Sequence, residues 1–199
     1  MRERSALAGF LTLLNTDRAD EWTGALLAEF GCLGGIMAQT REAVARAAGS
    51  DDAAEALQAA GALTREWLRE QAWAAPVLGD RPQLMAYLRA QHAFAADEWL
   101  RVLFLNGRNL LMRDEVVWQG TLDQSPFWPR LILRRGLEIN AAGLILVHNH
   151  PSGDHAPSGV DVQATKQLCL AACSLDIHVH DHLIFSSGGW SSLRQLGLL

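Results

Sequence analysis

A mixed α/β fold, a β-sheet flanked by helices and preceded by an N-terminal helical region, is what this 199-residue chain predicts on three observations. Residues 1 to 73 are rich in Ala, Leu, Glu and Arg, with apolar positions at helical spacing. From about residue 100 the texture changes to short apolar runs broken by turn signals, and "LILVH" is continuous enough for a strand buried on both faces. Helical stretches separate the later runs, so strands and helices alternate as layers.

In order along the chain, "WTGALLAEFGCLGGIM" places Trp22, Leu26, Leu27 and Phe30 at helical spacing, punctuated by Gly31, Gly34 and Gly35. Gly49, Ser50 and Asp51 read as the stop of one helix and the restart of another. "AAPVLGDRP", residues 74–82, carries two prolines, a glycine and an aspartate and is the best linker. "QLMAYLRAQHAFAADEW" reads as a further helix. "LRVLFLNGRNLLMRDEVVWQG" holds three apolar runs around the Asn106-Gly107 turn signal, which suggests a hairpin or meander. "PRLILRRGLEINAAG" has Pro129 where a first helical turn tolerates it. "SGVDVQATKQLCLAACSL" is helical and "DIHVHDHLIFS" a strand, so the expected order after residue 97 is β-β-β-α-β-α-β. No internal repeat is visible.

Composition narrows the classes. Apolar residues make up 49% and charged ones 20%, which fits a packed fold rather than a disordered chain. A formal net charge of −5 argues mildly against nucleic-acid binding. The apolar stretches are far shorter than the roughly 18 residues of a membrane span, and "MRERSALAGFLTLLNTDRADEW" meets Asp17, Asp20 and Glu21 too early for a secretory signal. Three cysteines without a framework spacing suit a reducing cytoplasm. Cys169 and Cys173 share a helix face and are expected to be small core residues, and the scattered tryptophans to be packing anchors.

The chemistry concentrates in "HNHPSGDHAPSGVD", residues 148–161. His148 and His150 are separated by one residue at a strand end, so both imidazoles project to the same side and Asn149 points away. Pro151 and Ser152-Gly153 turn the chain, Pro157 ends the loop, and Ser158 starts a helix with Asp161 in its first turn. Two imidazoles and one carboxylate would bind Zn²⁺ with a fourth position open, as in a catalytic zinc site. Ser158 and Asp161 are also spaced as a capping box, and a lone His-x-His pair more often packs or hydrogen-bonds than binds metal. The combination of the two elements favours the metal.

The pattern His-x-His, seven residues, Ser, two residues, Asp resembles the JAMM signature of MPN+ metallo-isopeptidases. More closely, "GTLDQSPFWPR", "NAAGLILVHNHPSGDHAPSGVDVQATKQL" and the later "DH" before "LIFS" resemble the RadC-like JAB proteins of bacteria, over roughly residues 97–199. The resemblance implies an MPN/JAB1-like (cytidine-deaminase-like) mixed sheet over residues 83–199. It also implies that His148, His150 and Asp161 ligate zinc, that Ser158 donates to the oxyanion of a tetrahedral intermediate, and that a glutamate from an earlier element handles the proton of the activated water. Glu98, just before "LRVLFL", is the favoured glutamate, with Glu115 and Glu138 as alternatives. "LLAEFGCLGGIM" resembles the helical segment before that domain, with "AAGSDDAAEAL" where a Gly-rich helix-hairpin-helix turn would stand, so residues 1–73 read as a degenerate helix-hairpin-helix-like region. Asp181-His182 matches a family feature and is read as a buried pair supporting the sheet or standing behind the metal ligands. On spacing alone His178, His180 and His182 alternate along one strand face; His178 and His180 are expected at the surface or edge. Asp154 and His155 lie in the metal loop, within reach of a substrate.

The leading expectation is a zinc-dependent cytoplasmic hydrolase cutting a peptide or isopeptide amide. The second is a DNA-associated protein of the RadC family with a structural role in repair or recombination, for which Arg130, Arg134 and Arg135 offer a local basic cluster. An HNH nuclease is rejected, because its three residues spread over a ββα unit whereas these are consecutive. A two-histidine, one-carboxylate iron site is chemically possible, without a recognisable cosubstrate pocket.

Overall fold

The computed structural model describes residues 1–74, 76–77, 82–95, 97–120 and 129–199. The expected linker at 74–82 falls partly outside these residues, and so do residues 121–128 of "GTLDQSPFWPR".

The chain divides into two compact units, Met1–Trp67 and Leu68–Leu199. The first is helical: α1 (Arg2–Thr12), α2 (Ala19–Phe30), α3 (Leu33–Met37), α4 (Arg41–Ala48) and α5 (Asp51–Trp73), the last of which runs on past the boundary. Leu7, Leu11, Trp22, Leu26, Ile36, Val44 and Leu57 form its buried core. The stop and restart at Gly49-Ser50 has a local cause. Gly49 takes the left-handed conformation (φ 64°) that ends α4, and the Ser50 hydroxyl accepts the Ala53 N–H in the first turn of α5.

The second unit contains α6 (Pro82–His92), β1 (Glu98–Leu105), β2 (Leu111–Gly120), α7 (Pro129–Glu138), β3 (Gly143–Asn149), α8 (Gly159–Cys173), β4 (His178–Ser186) and β5 (Gly189–Ser192). The strands form one mixed sheet in the order β2-β1-β3-β4-β5, antiparallel except for β3 and β4. On one face Leu103, Leu105, Ile145, Val147, Leu183 and Phe185 pack under Leu84, Tyr87 and Leu88 of α6. On the other, Val102, Phe104, Leu144 and Leu146 meet Ile132 and Leu133 of α7 and Leu168 and Ala172 of α8. Strand β3 is central and buried along its whole length, as the continuous apolar run predicts. Each of its fully buried Leu and Val side chains contributes about 1.5–3 kcal/mol. The parallel connection β3–α8–β4 opens a loop at the C-terminal end of β3, the end at which such units place their sites.

Four local expectations are corrected. The order is β-β-α-β-α-β-β: the second and third apolar runs merge into β2, because Asp114 within it is held by Arg101 at 2.8 Å and by the Tyr87 hydroxyl. The short strand β5, poor in apolar residues, has no pattern in the sequence that announces it. The helix read through "QLMAYLRAQHAFAADEW" ends at His92, and Glu98 opens β1 instead of preceding it. Cys169 is half-buried and Cys173 exposed, because the buried stripe of α8 is Asp161, Thr165, Leu168 and Ala172, one residue away around the helix. Trp22 is a core residue, but Trp67 and Trp190 are exposed.

Candidate metal centre

His148 lies opposite Leu100 of β1 and Ile184 of β4, near the C-terminal end of β3. The His150 N–H continues the ladder by donating to the Phe185 carbonyl at 2.8 Å, so His150 keeps the strand's alternation and projects beside His148. The two Nε2 atoms are 2.8 Å apart. Asn149 points to the opposite face, where its amide accepts the Trp99 N–H and donates to the Asp97 carbonyl, both at 2.9 Å. Asn149 thus points away from both histidines, as strand alternation predicts.

The loop after His150 is held from the β4–β5 hairpin. Ser186 Oγ donates to the Gly153 carbonyl at 2.8 Å and Ser191 Oγ to the His155 carbonyl at 2.6 Å. A Cβ at Gly188 would stand 2.7 Å from the Gly153 carbonyl oxygen, so this close approach requires glycine. The fixed loop presents the Asp154 carbonyl to His150 Nδ1 at 2.8 Å. A carbonyl only accepts, so Nδ1 carries a proton toward it, and Nε2 is the ring atom that faces His148 and Asp161. Asp154 thus contributes its backbone, while its carboxylate accepts the Ala156 N–H. The His155 ring packs on Gly189.

Helix α8 begins as its sequence predicts. Ser158 Oγ accepts the Asp161 N–H at 3.1 Å, and Asp161 Oδ2 accepts the Ser158 N–H at 2.8 Å, a complete capping box. The same carboxylate faces the histidines, with Oδ1 3.6 Å from His148 Nε2 and Oδ2 3.7 Å from His150 Nε2. Capping and metal ligation are therefore compatible: one geometry serves both. Burial raises the Asp161 carboxyl's pKa, but the His150 ring beside it and the bonds to Ser158 together hold it well below the usual carboxylate range. Burial pushes His148 down to about 4, so its imidazole stays neutral. His150 is raised, chiefly by its hydrogen bond to Asp161, with the more distant Glu98 charge acting the same way.

His148, His150 and Asp161 each offer a ligand atom, all within 4.8 Å of one another, and could hold a metal ion. Their separations of 2.8–3.7 Å bracket the about 3.3 Å between two ligands of a tetrahedral ion with bonds near 2.05 Å. The donor set fits.

Behind the ligands, His182 is buried, with Nε2 2.7 Å from His148 Nδ1 and Nδ1 2.7 Å from Thr165 Oγ1. Here the expected alternation of His178, His180 and His182 on one face fails. Leu144 pairs with Val179 but Ile145 pairs with Asp181, so His180 is an extra residue in β4. The bulge leaves His180 packed over Gly143 and turns His182 to the metal side. Asp181 faces away and accepts from Ser192 Oγ at 2.6 Å and the Arg194 N–H at 3.1 Å. Asp181 Oδ1 also accepts the His182 backbone N–H at 2.7 Å, so the two residues are joined: the Asp181 side chain braces β5, while the His182 ring stands behind His148. Sequence reasoning missed Thr165, although its place four residues after Asp161 puts both on one helix face.

Among the three glutamates, Glu98 stands two residues from Leu100 on β1, on the face and at the level of His150. Glu115 is clamped by Arg135, at 2.6 Å to Nη2 and 2.9 Å to Nε, and is held ionised by that bond. Glu138 contacts Arg135 at 3.3 Å and Arg134 at 3.5 Å. Two of the three arginines expected to form a basic cluster are therefore neutralised by carboxylates. Among the described residues no helix is long and apolar enough to cross a membrane.

The family model of the RadC-like JAB domain matches residues 78–198, beginning some way before the segment whose motifs carried the resemblance. The matched stretch takes in the whole sheet, the histidine loop, the capped helix and the bulged strand. As it covers more than half of the chain, the chain belongs to the RadC-like JAB domain family.

Proposed function

We propose that the chain is a zinc-dependent hydrolase that cleaves an amide, as a peptide or isopeptide bond in a protein or peptide substrate. The convergence of His148 Nε2, His150 Nε2 and the Asp161 carboxylate at one point carries this reading. A bound zinc ion supplies Lewis-acid polarisation and activation of water. The chain's own residues do the rest. Glu98 takes a proton from the attacking water and passes it to the departing amine. Ser158 Oγ accepts the Asp161 N–H and so keeps its own proton to donate to the developing oxyanion. The Glu98 assignment is supported by its shared face with His150 and by its charge, which raises the His150 pKa.

Metal analysis of purified and zinc-reconstituted protein tests the reading. About one zinc per chain is expected, lost in His148→Ala, His150→Ala and Asp161→Ala. Absence of zinc after reconstitution, or iron in its place, would overturn it. A peptide-library screen comparing zinc-loaded and chelator-treated protein then identifies the bond cut.

A further inference from the structure

We infer that His182 and Thr165 are positioning residues that set the tautomer of His148 and thereby turn its Nε2 lone pair toward the metal. The inference rests on His148 being a metal ligand and extends that reading to side chains outside the ligand set.

Proton counting along the chain of contacts carries the argument. Thr165 Oγ1 has one proton and two neighbours, the Asp161 carbonyl oxygen at 2.6 Å and His182 Nδ1 at 2.7 Å. A carbonyl oxygen only accepts, so Thr165 donates there. Toward His182 the hydroxyl then acts as acceptor, which requires the proton on His182 Nδ1. His182 is 1% exposed, and a neutral imidazole has one N–H, so its Nε2 is an acceptor. His148 Nδ1, 2.7 Å away, must therefore donate to it. That leaves His148 Nε2 without a proton, facing His150 and Asp161.

The chain closes on the other ligand element. Thr165 lies one turn after Asp161 on α8, and its hydroxyl bonds Asp161's own carbonyl, so the backbone of one ligand fixes the tautomer of another. The β4 bulge at His180 is the local cause, since without the extra residue His182 would face the opposite side of the sheet.

Long-range ¹H–¹⁵N correlation spectra of the metal-stripped, ¹⁵N-labelled full chain test this directly, with His182→Gln used to assign the rings. His148 and His182 are both expected to carry their proton on Nδ1. A proton on His148 Nε2 overturns the inference. Titration with Zn²⁺ alone gives the second readout: Thr165→Val should weaken binding about 10–100-fold, and Thr165→Ser should restore it to within a few-fold of the parent. Equal affinity for the Val and Ser variants, each with an unchanged amide spectrum, also overturns it. If Thr165→Val does not fold, the tautomers of the parent chain decide. Failure of the parent chain to bind Zn²⁺ would remove the metal reading, whereas a wrong tautomer in a chain that binds Zn²⁺ would remove only this one.

Discussion

Asn149 and Trp99, fifty residues apart in the chain, are joined by a 2.9 Å hydrogen bond from the Trp99 backbone N–H to the Asn149 side-chain oxygen. The other end of the same amide donates to the Asp97 carbonyl, so Asn149 grips the backbone on both sides of Glu98. The middle residue of "HNH" thus acts on the opposite face of the strand from its histidines. Asn149→Ala should leave Zn²⁺ affinity within a few-fold of the parent. It should cost about 1–3 kcal/mol of stability, from the half-buried peptide groups left unpaired. If Glu98 is the proton carrier, cleavage should fall by up to about 100-fold, as a misplaced catalytic group implies. Denaturant unfolding, Zn²⁺ titration and turnover measured side by side check the three, and an unchanged turnover would show that the grip does not position Glu98.

The Asp161 carboxylate caps α8 and is the proposed metal ligand, and the two roles are separable by substitution. Ser158→Ala removes the hydroxyl that accepts the Asp161 N–H and should cost about 0.5–2 kcal/mol of stability. The ligand atoms are untouched, so Zn²⁺ should still bind. Asp161→Asn keeps a side-chain oxygen able to accept the Ser158 N–H but loses the charge. It should be milder on stability in the metal-free chain and lower Zn²⁺ affinity by about 10-fold or more. Calorimetric titration and thermal unfolding of both variants give the comparison. Zinc binding lost in Ser158→Ala but kept in Asp161→Asn would contradict it.

What was legible in the sequence is what depends on neighbours along the chain. The same-side histidines follow from strand alternation, and the return of Asp161 follows from a serine-capped first turn. Both are consequences of spacing over fourteen residues. The misread features depend on contacts across the sheet. No periodicity announces that His180 is an extra residue, because the bulge exists only relative to β3. Asp114 looks like a strand breaker until Arg101 and Tyr87 are seen to hold it. Helical spacing puts Cys169 and Cys173 on one face but does not say which face is buried; Thr165 and Leu168 show that it is the neighbouring stripe. The role of Thr165 needed a partner seventeen residues away on β4.

His92 sits under the sheet against Phe185, and neither ring nitrogen has a hydrogen-bond partner among the described residues. Burial, with smaller effects from Arg101 and His148, pushes its pKa down to about 3. The unfolded chain protonates this residue below its ordinary value of 6.5, while the folded chain does not until about 3. Folding stability should therefore be unaffected by His92 above about pH 6.5 and decline as pH falls from there. One excess proton in the unfolded state gives about 1.4 kcal/mol per pH unit. His92→Leu removes this term, so the variant should gain on the parent between pH 7.5 and pH 5 in urea unfolding of metal-free protein. Parallel pH dependences for the two chains would refute the assignment.

The three glutamates make a discriminating set, since each has a different environment within the same domain. Glu98 opens β1 on the His150 side, whereas Glu115 is locked to Arg135 and Glu138 is shared between Arg134 and Arg135. A carboxylate that must alternately accept and release a proton works best near the operating pH, and a bidentate guanidinium opposes that by stabilising the ionised form. Glu98→Gln should accordingly lower amide cleavage by about 10²–10⁴-fold with little change in Zn²⁺ affinity, the signature of lost proton transfer. Glu115→Gln and Glu138→Gln should leave turnover near the parent and cost about 1 kcal/mol of stability each, because these ion pairs lie at the partly exposed surface. The measurement is kcat and KM for the three variants on the peptide returned by the library screen, alongside their zinc content. If Glu115→Gln were the inactive one while Glu98→Gln cleaved normally, the proton would have to travel by way of β2, and Arg135 would become part of the machinery.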